Sequence, residues 1–123
     1  DANSPFMFEL RKTPRINVTW RGSVKMDDGK LVPIRVINVG NHGFLFLCPT
    51  ALLAEHDYQL SLEVPNIDKT SSTLYQVTCT VVLTHSVLSG GQFRVGVKFV
   101  QMSSMHRDLI NAWVSLASRF DPD

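Results

Sequence analysis

Apolar and polar residues alternate from Ile16 to Met26, with Ile16, Val18, Trp20, Val24 and Met26 on one side of an extended chain and Asn17, Thr19, Arg21, Ser23 and Lys25 on the other. A period of two marks a strand with one face in a core and one in water. Asp28 and Gly29 form a dipeptide suited to a tight hairpin with positive φ, and the β-branched run Leu31 to Val39 predicts a second strand paired with the first. Gly40 to Gly43 interrupts, and Phe44 to Cys48 predicts a short third strand. Tyr58, Leu60, Leu62 and Val64 alternate up to Pro65, and the polar stretch Asn66 to Thr73 reads as a loop. Tyr75, Val77, Cys79, Val81 and Leu83 define a fifth strand, and Phe93, Val95, Val97 and Phe99, after Gly90 and Gly91, a sixth.

Six strands at this spacing, unbroken by long helical patterns, predict an antiparallel barrel, because closure removes exposed edges. Beyond Gln101 the period changes: Met105, Leu109, Ala112 or Trp113, Leu116 and Phe120 recur at steps of three and four. One C-terminal helix is expected there, capped by Ser103 or Ser104 and covering the open end of the barrel with Met105, Trp113 and Phe120. The expected fold is therefore all-β, a six-stranded antiparallel β-barrel over residues 16–101 with one α-helix over 103–120. An arm over 9–15 precedes it, and residues 1–8 read as a flexible start or the edge of a longer protein.

Composition narrows the function. A length of 123 residues with 44% hydrophobic content suits one domain with one core. The apolar runs are far shorter than the roughly 20 residues of a membrane helix, and no leader pattern is present, so a soluble, cytoplasmic domain without direct membrane insertion is expected. Cys48 and Cys79 form no CxxC pair and belong to no cluster at metal-ligand spacing; both are expected as buried thiols, with no metal site. His42, His56, His85 and His106 fall on different elements, and no Ser or Cys nucleophile stands beside a base. Each histidine reads as a surface or packing residue, and the chain is not expected to be an enzyme.

The net charge of +1 conceals an asymmetry. Arg11, Lys12, Arg15, Arg21, Lys25, Lys30 and Arg35 meet only Asp27 and Asp28 within residues 11–35, leaving that segment at +5 and the rest at −4. Such an excess can focus an anionic ligand. Within it, Arg11 and Arg15 stand four apart around Pro14, which argues against a helix and for an extended arm entering the first strand. Two guanidinium forks held close suit phosphate oxygens, the O6 and N7 edge of guanine, and stacking on a base. Asn38, Val39, Gly40, Asn41, His42 and Gly43 follow between two apolar strands, a turn whose glycines permit close approach of backbone to a ligand.

Together, RxxxR ahead of the first strand and NxGxxG at the end of the second resemble the PilZ signature, RxxxR followed by (D/N)xSxxG. The resemblance extends to the alternating strands, the glycine in FRVGVKFV and the closing helix. It implies a six-stranded, split-barrel type domain that acts as a bacterial cyclic di-GMP receptor, with no cofactor beyond that ligand. It assigns Arg11 and Arg15 to phosphates and guanine edges, Asn38 to a guanine, and Gly43 to a place where a side chain would clash or φ is positive. Gly40 stands where the family usually has serine, and Lys12, Asn41 and His42 are secondary candidates. The expected partners are cyclic di-GMP and a protein or attached domain in motility, adhesion or polysaccharide export. A family member acting only through protein contacts is the alternative that Gly40 favours. An oligonucleotide-binding barrel rests on the +5 segment alone; Trp20, Phe93 and Phe99, in phase with the core, speak against a stacking surface for a nucleic acid polymer.

Overall fold

A computed structural model describes residues 14–120 apart from Lys69, with side chains as far as Leu116. Six strands, β1 (Arg15–Lys25), β2 (Leu31–Gly40), β3 (Gly43–Cys48), β4 (Asp57–Pro65), β5 (Leu74–Ser89) and β6 (Gln92–Met102), precede one helix, α1 (Ser104–Phe120). All neighbours are antiparallel. The order β1-β2-β3-β6-β5-β4 closes on itself because β1 pairs with β4 as well as with β2. Arg11 and Lys12 lie outside the described residues.

Period-two alternation becomes burial. Trp20 and Val24 of β1, Ile34, Val36 and Val39 of β2, Phe44, Phe46 and Cys48 of β3, and Tyr58, Leu60, Leu62 and Val64 of β4 all point into the barrel. Val77, Cys79, Val81 and Leu83 of β5 with Val95 and Val97 of β6 complete the interior, and no polar or charged side chain is buried among the described residues. Phe93 and Phe99 are half-buried against this core. Tyr75, in phase with the inward face of β5, is exposed near the strand's start.

The tight hairpin expected at Asp28 and Gly29 forms as a three-residue loop: Met26 N donates to Lys30 O at 2.8 Å and Gly29 N to Met26 O at 2.8 Å. Within it only Gly29 has positive φ, at 87°, as a single left-handed residue closing the loop requires. The buried stripe of α1 is Ile110 and Val114, supported by Leu109 and Trp113, and not one that includes Met105, which is 71% exposed. At about 100° per residue Met105 lies opposite Val114, so a face centred on Val114 cannot contain it. The side chain of Phe120 lies outside the described residues.

Ser103 caps α1, its Oγ accepting from His106 N at 3.2 Å. The helix is then fixed to the barrel at separate points. Trp113 Nε1 donates to Pro65 O at 2.9 Å, the Trp113 ring meets Trp20 edge-on at 5.9 Å, and Thr78 N donates to His106 Nδ1 at 3.3 Å.

Both thiols are free and buried, and desolvation raises both above the usual cysteine pKa, that of Cys79 to about 12. Because the folded value exceeds the unfolded one, the Cys79 contribution to stability is complete below the ordinary thiol pKa and is lost as pH climbs from about 9 towards 12. Neither cysteine is expected to react with Ellman's reagent at neutral pH until the chain is unfolded in guanidinium. Prompt labelling of the native protein would contradict the burial.

Candidate ligand-binding face

The outer surface over β1, β2, β3, β6 and β5 carries a continuous cross-strand row. Asn17 pairs with Asn38, Asn38 with Leu45, Leu45 with Gly96 and Gly96 with His85. Two β-bulges create it. In β2 the inward phase runs through Ile34 and Val36, and unbroken alternation would turn Asn38 inward. Ile37 has no partner on β3, so the phase resets, Val39 turns in and Asn38 turns out. In β5 Leu83 is inward, and unbroken alternation would bury His85. An irregularity at Thr84 turns His85 out instead. Re-aiming one side chain is what a bulge does, because it inserts a residue without a cross-strand partner.

Arg15, opposite Gly40 on the ladder, donates from Nε to Asn38 Oδ1, and Asn38 Nδ2 donates in turn to Asn17 Oδ1 at 3.0 Å. Partial burial of the guanidinium lowers the Arg15 pKa from its ordinary value, but arginine remains charged across the whole accessible range. Asn17 was not among the sequence-derived site residues, although its place two positions after Arg15 puts both on one face. Gly40 forms the floor beneath Arg15: a Cβ there would stand 3.3 Å from Arg15 Nη1 and 3.4 Å from Arg15 Cγ. Neither Gly40 nor Gly43 has positive φ. Gly43 is required by space alone, since its Cβ would collide with the backbone carbonyl of Val97 and stand 3.0 Å from Lys98 Cα.

The turn between β2 and β3 is tied down on two sides. Phe99 N donates to His42 O at 2.9 Å, and Asn41 Nδ2 donates to Asn111 Oδ1 of α1 at 2.8 Å. Asn41 is thereby committed to the helix, whereas His42 is exposed. Arg15, His42, Gly43, Phe44, Leu45 and residues of β5 and β6 line a depression of about 250 Å³. A larger one, about 490 Å³, lies between the ends of β1, β4, β5 and β6; it contains none of the motif residues, and its only charged lining group is Lys25. Phosphate recognition needs more than one cation, which the larger depression lacks, whereas the smaller one has Arg15 and Lys98 beside the motif residue Gly43.

With this geometry, comparison with known proteins is informative. The family model described as the PilZ domain matches residues 9–116, and the chain belongs to that family, one known for cyclic di-GMP receptors, whose domains are typically non-catalytic. Among solved structures it is similar to the Bacillus subtilis inhibitor of motility, MotI/DgrA, with a TM-score of 0.76 and 7% identity over 92% of this chain and 53% of that one. It is similar to Escherichia coli YcgR in complex with c-di-GMP, with a TM-score of 0.68 and 13% identity over 91% of this chain and 47% of that one. It also resembles the isolated PilZ domain of YcgR with c-di-GMP, with a TM-score of 0.61 and 14% identity over 89% of this chain and 92% of that one. The chain thus spans about half the length of the first two. No curated protein matches the sequence. No helix among the described residues is long and apolar enough to cross a membrane.

Proposed function

We propose that this domain is a cyclic di-GMP effector whose ligand lies on the outer face of the barrel, with Arg15 and Asn38 as its principal contacts. The observation carrying this reading is the hydrogen-bonded placement of Arg15 beside Asn38, residues 23 apart in sequence, over the bare backbone of Gly40. Arg15 takes a phosphate or a guanine O6/N7 edge, and Asn38 exchanges its bond to Arg15 for one to guanine. Gly43 keeps the β2–β3 turn against β6. Arg11 is proposed as the second guanidinium, with Lys12 a secondary contact, and ligand engages the part of the arm that precedes Arg15. The turn passes this change to α1 through Asn41 and Asn111, altering the surface offered to a protein partner in motility, adhesion or polysaccharide export. A cytoplasmic site of action follows from the nature of the ligand.

A second reading, a domain that works only through protein contacts, is favoured by Gly40, which lacks the usual hydroxyl. Calorimetric titration with cyclic di-GMP separates the two. Wild type is expected to bind with micromolar or tighter affinity. Gly40→Ser is expected to bind about tenfold tighter, the gain of one hydrogen bond to a charged group, after Arg15 yields a few tenths of an ångström. No heat from wild type but binding by Gly40→Ser would establish the protein-only reading.

A further inference from the structure

The motif residue Asn38 stands towards one end of the cross-strand row, and His85 occupies the other end. Its position is constructed with care by the local sequence. Thr84, at the β5 irregularity, donates from Oγ1 to Gly96 O at 2.9 Å and lies 3.2 Å from His85 Nδ1. The imidazole rests directly over Gly96, where a Cβ would collide with the ring, 2.6 Å from Nδ1 and 2.8 Å from Nε2. Position 96 must therefore be bare for the ring to lie where it does.

Arg15 shares the lining of this depression with His85, Lys98 of β6 and His42 of the β2–β3 turn; Leu45 and Gly96 lie among the residues that line it. Among the described residues, Arg15, His42, His85 and Lys98 are the titratable groups that line it, from β1, the turn, β5 and β6, and no carboxylate is among them. Its volume of about 250 Å³ is below the roughly 300–1,000 Å³ of clefts that enclose a whole drug-sized ligand, so it accommodates part of a dinucleotide.

We propose that His42, His85 and Lys98 form a second phosphate subsite facing Arg15, and that protonation of the two imidazoles makes ligand affinity rise as pH falls. The inference rests on the cyclic di-GMP reading and extends it. A cyclic dinucleotide carries two phosphodiesters on opposite sides of its ring, and one cationic wall can neutralise only the nearer. A neutral imidazole offers one N–H donor, whereas an imidazolium offers two and a charge. Bonds to an anion from a charged donor are about twice as strong as neutral ones. The nearby phosphate favours the protonated ring, so the complex holds more protons than the free components and acid strengthens it. The phosphodiesters and guanines of the ligand do not titrate in the interval where imidazole does.

The test is calorimetric affinity for cyclic di-GMP at about pH 8 and about pH 5.5, either side of imidazole titration. Wild type is expected to bind about tenfold tighter at the lower pH, the worth of one charge-assisted bond. The double variant His42→Gln/His85→Gln is expected to bind equally at both. Lys98→Ala is expected to weaken binding about tenfold at each pH while keeping the wild-type ratio. Gly96→Ala, which drives the ring from its seat, is expected to reduce that ratio. Binding that requires Arg15 but whose pH ratio survives His42→Gln/His85→Gln would overturn the inference and leave the receptor reading standing. Absence of binding at either pH would remove both together.

Discussion

Replacement of Arg15 by alanine is expected to weaken cyclic di-GMP binding about a hundredfold, because charge-assisted hydrogen bonds are worth roughly 1.5 to 3 kcal/mol each and a guanidinium fork supplies two. The same change is expected to move folding stability by no more than about 0.5 kcal/mol, since Arg15 is an exposed residue at the start of β1 whose side chain bonds to another outward side chain, Asn38. Asn38 would keep its bond to Asn17, so the floor of the site persists without the guanidinium. Arg15→Lys should recover little, for an ammonium keeps the charge but loses the planar fork that meets a phosphate or a guanine edge with two bonds. Calorimetry beside a thermal melt checks both halves. An Arg15→Ala protein that bound at wild-type affinity would remove the central contact of the proposed site.

Gly43→Ala is expected to be the most destabilising of these small changes, by about 3 kcal/mol, the upper range for a forced steric overlap. The added Cβ would meet the Val97 carbonyl and Lys98 Cα, backbone atoms of the partner strand, so no rotamer relieves it. Strand β3 would have to part from β6 at the Gly43 and Lys98 pair, where the ladder begins. For a domain of this size the loss corresponds to a fall in Tm of about 10 to 20 °C. Gly40→Ala serves as the internal contrast: the nearest neighbours of its Cβ would be Arg15 and the Pro14 carbonyl at 3.3 to 3.5 Å, and a near-native melt is expected. Equal melting of the two variants would mean that Gly43 is not held by β6 as described. The two glycines are alike in a motif and unlike in physics. One makes room for a backbone, the other for a side chain.

Strand count, strand phase and the terminal helix were legible in the sequence because burial on one face imposes a short-range rule on successive residues. Val24, Phe46, Leu62 and Val77 could be placed inside with no knowledge of their neighbours. The helix was legible as an element, but its buried stripe was not. Met105 is apolar and at a plausible spacing, and only the docking of Ile110, Val114 and Trp113 onto the barrel shows that the face turns away from it. The loop at Gly29 was likewise half readable: a positive φ was required, while the length of the loop depended on where Met26 and Lys30 paired.

In the site, Arg15, Asn38, Gly40 and Gly43 stood out by motif, and the fold brings Arg15, Asn38 and Gly40 into contact. Asn17 and His85 did not stand out, for different reasons. Asn17 was on the correct face of a correctly read strand and lacked only its partner. His85 would point inward under strict alternation after Leu83, and its outward position depends on the irregularity at Thr84, which is defined by the register of β6. By itself the sequence determined the barrel, its polarity and the two motif segments, since these follow from residue type and local period. The tertiary structure alone decided which outward side chains share one face, because bulges and cross-strand register are properties of paired strands.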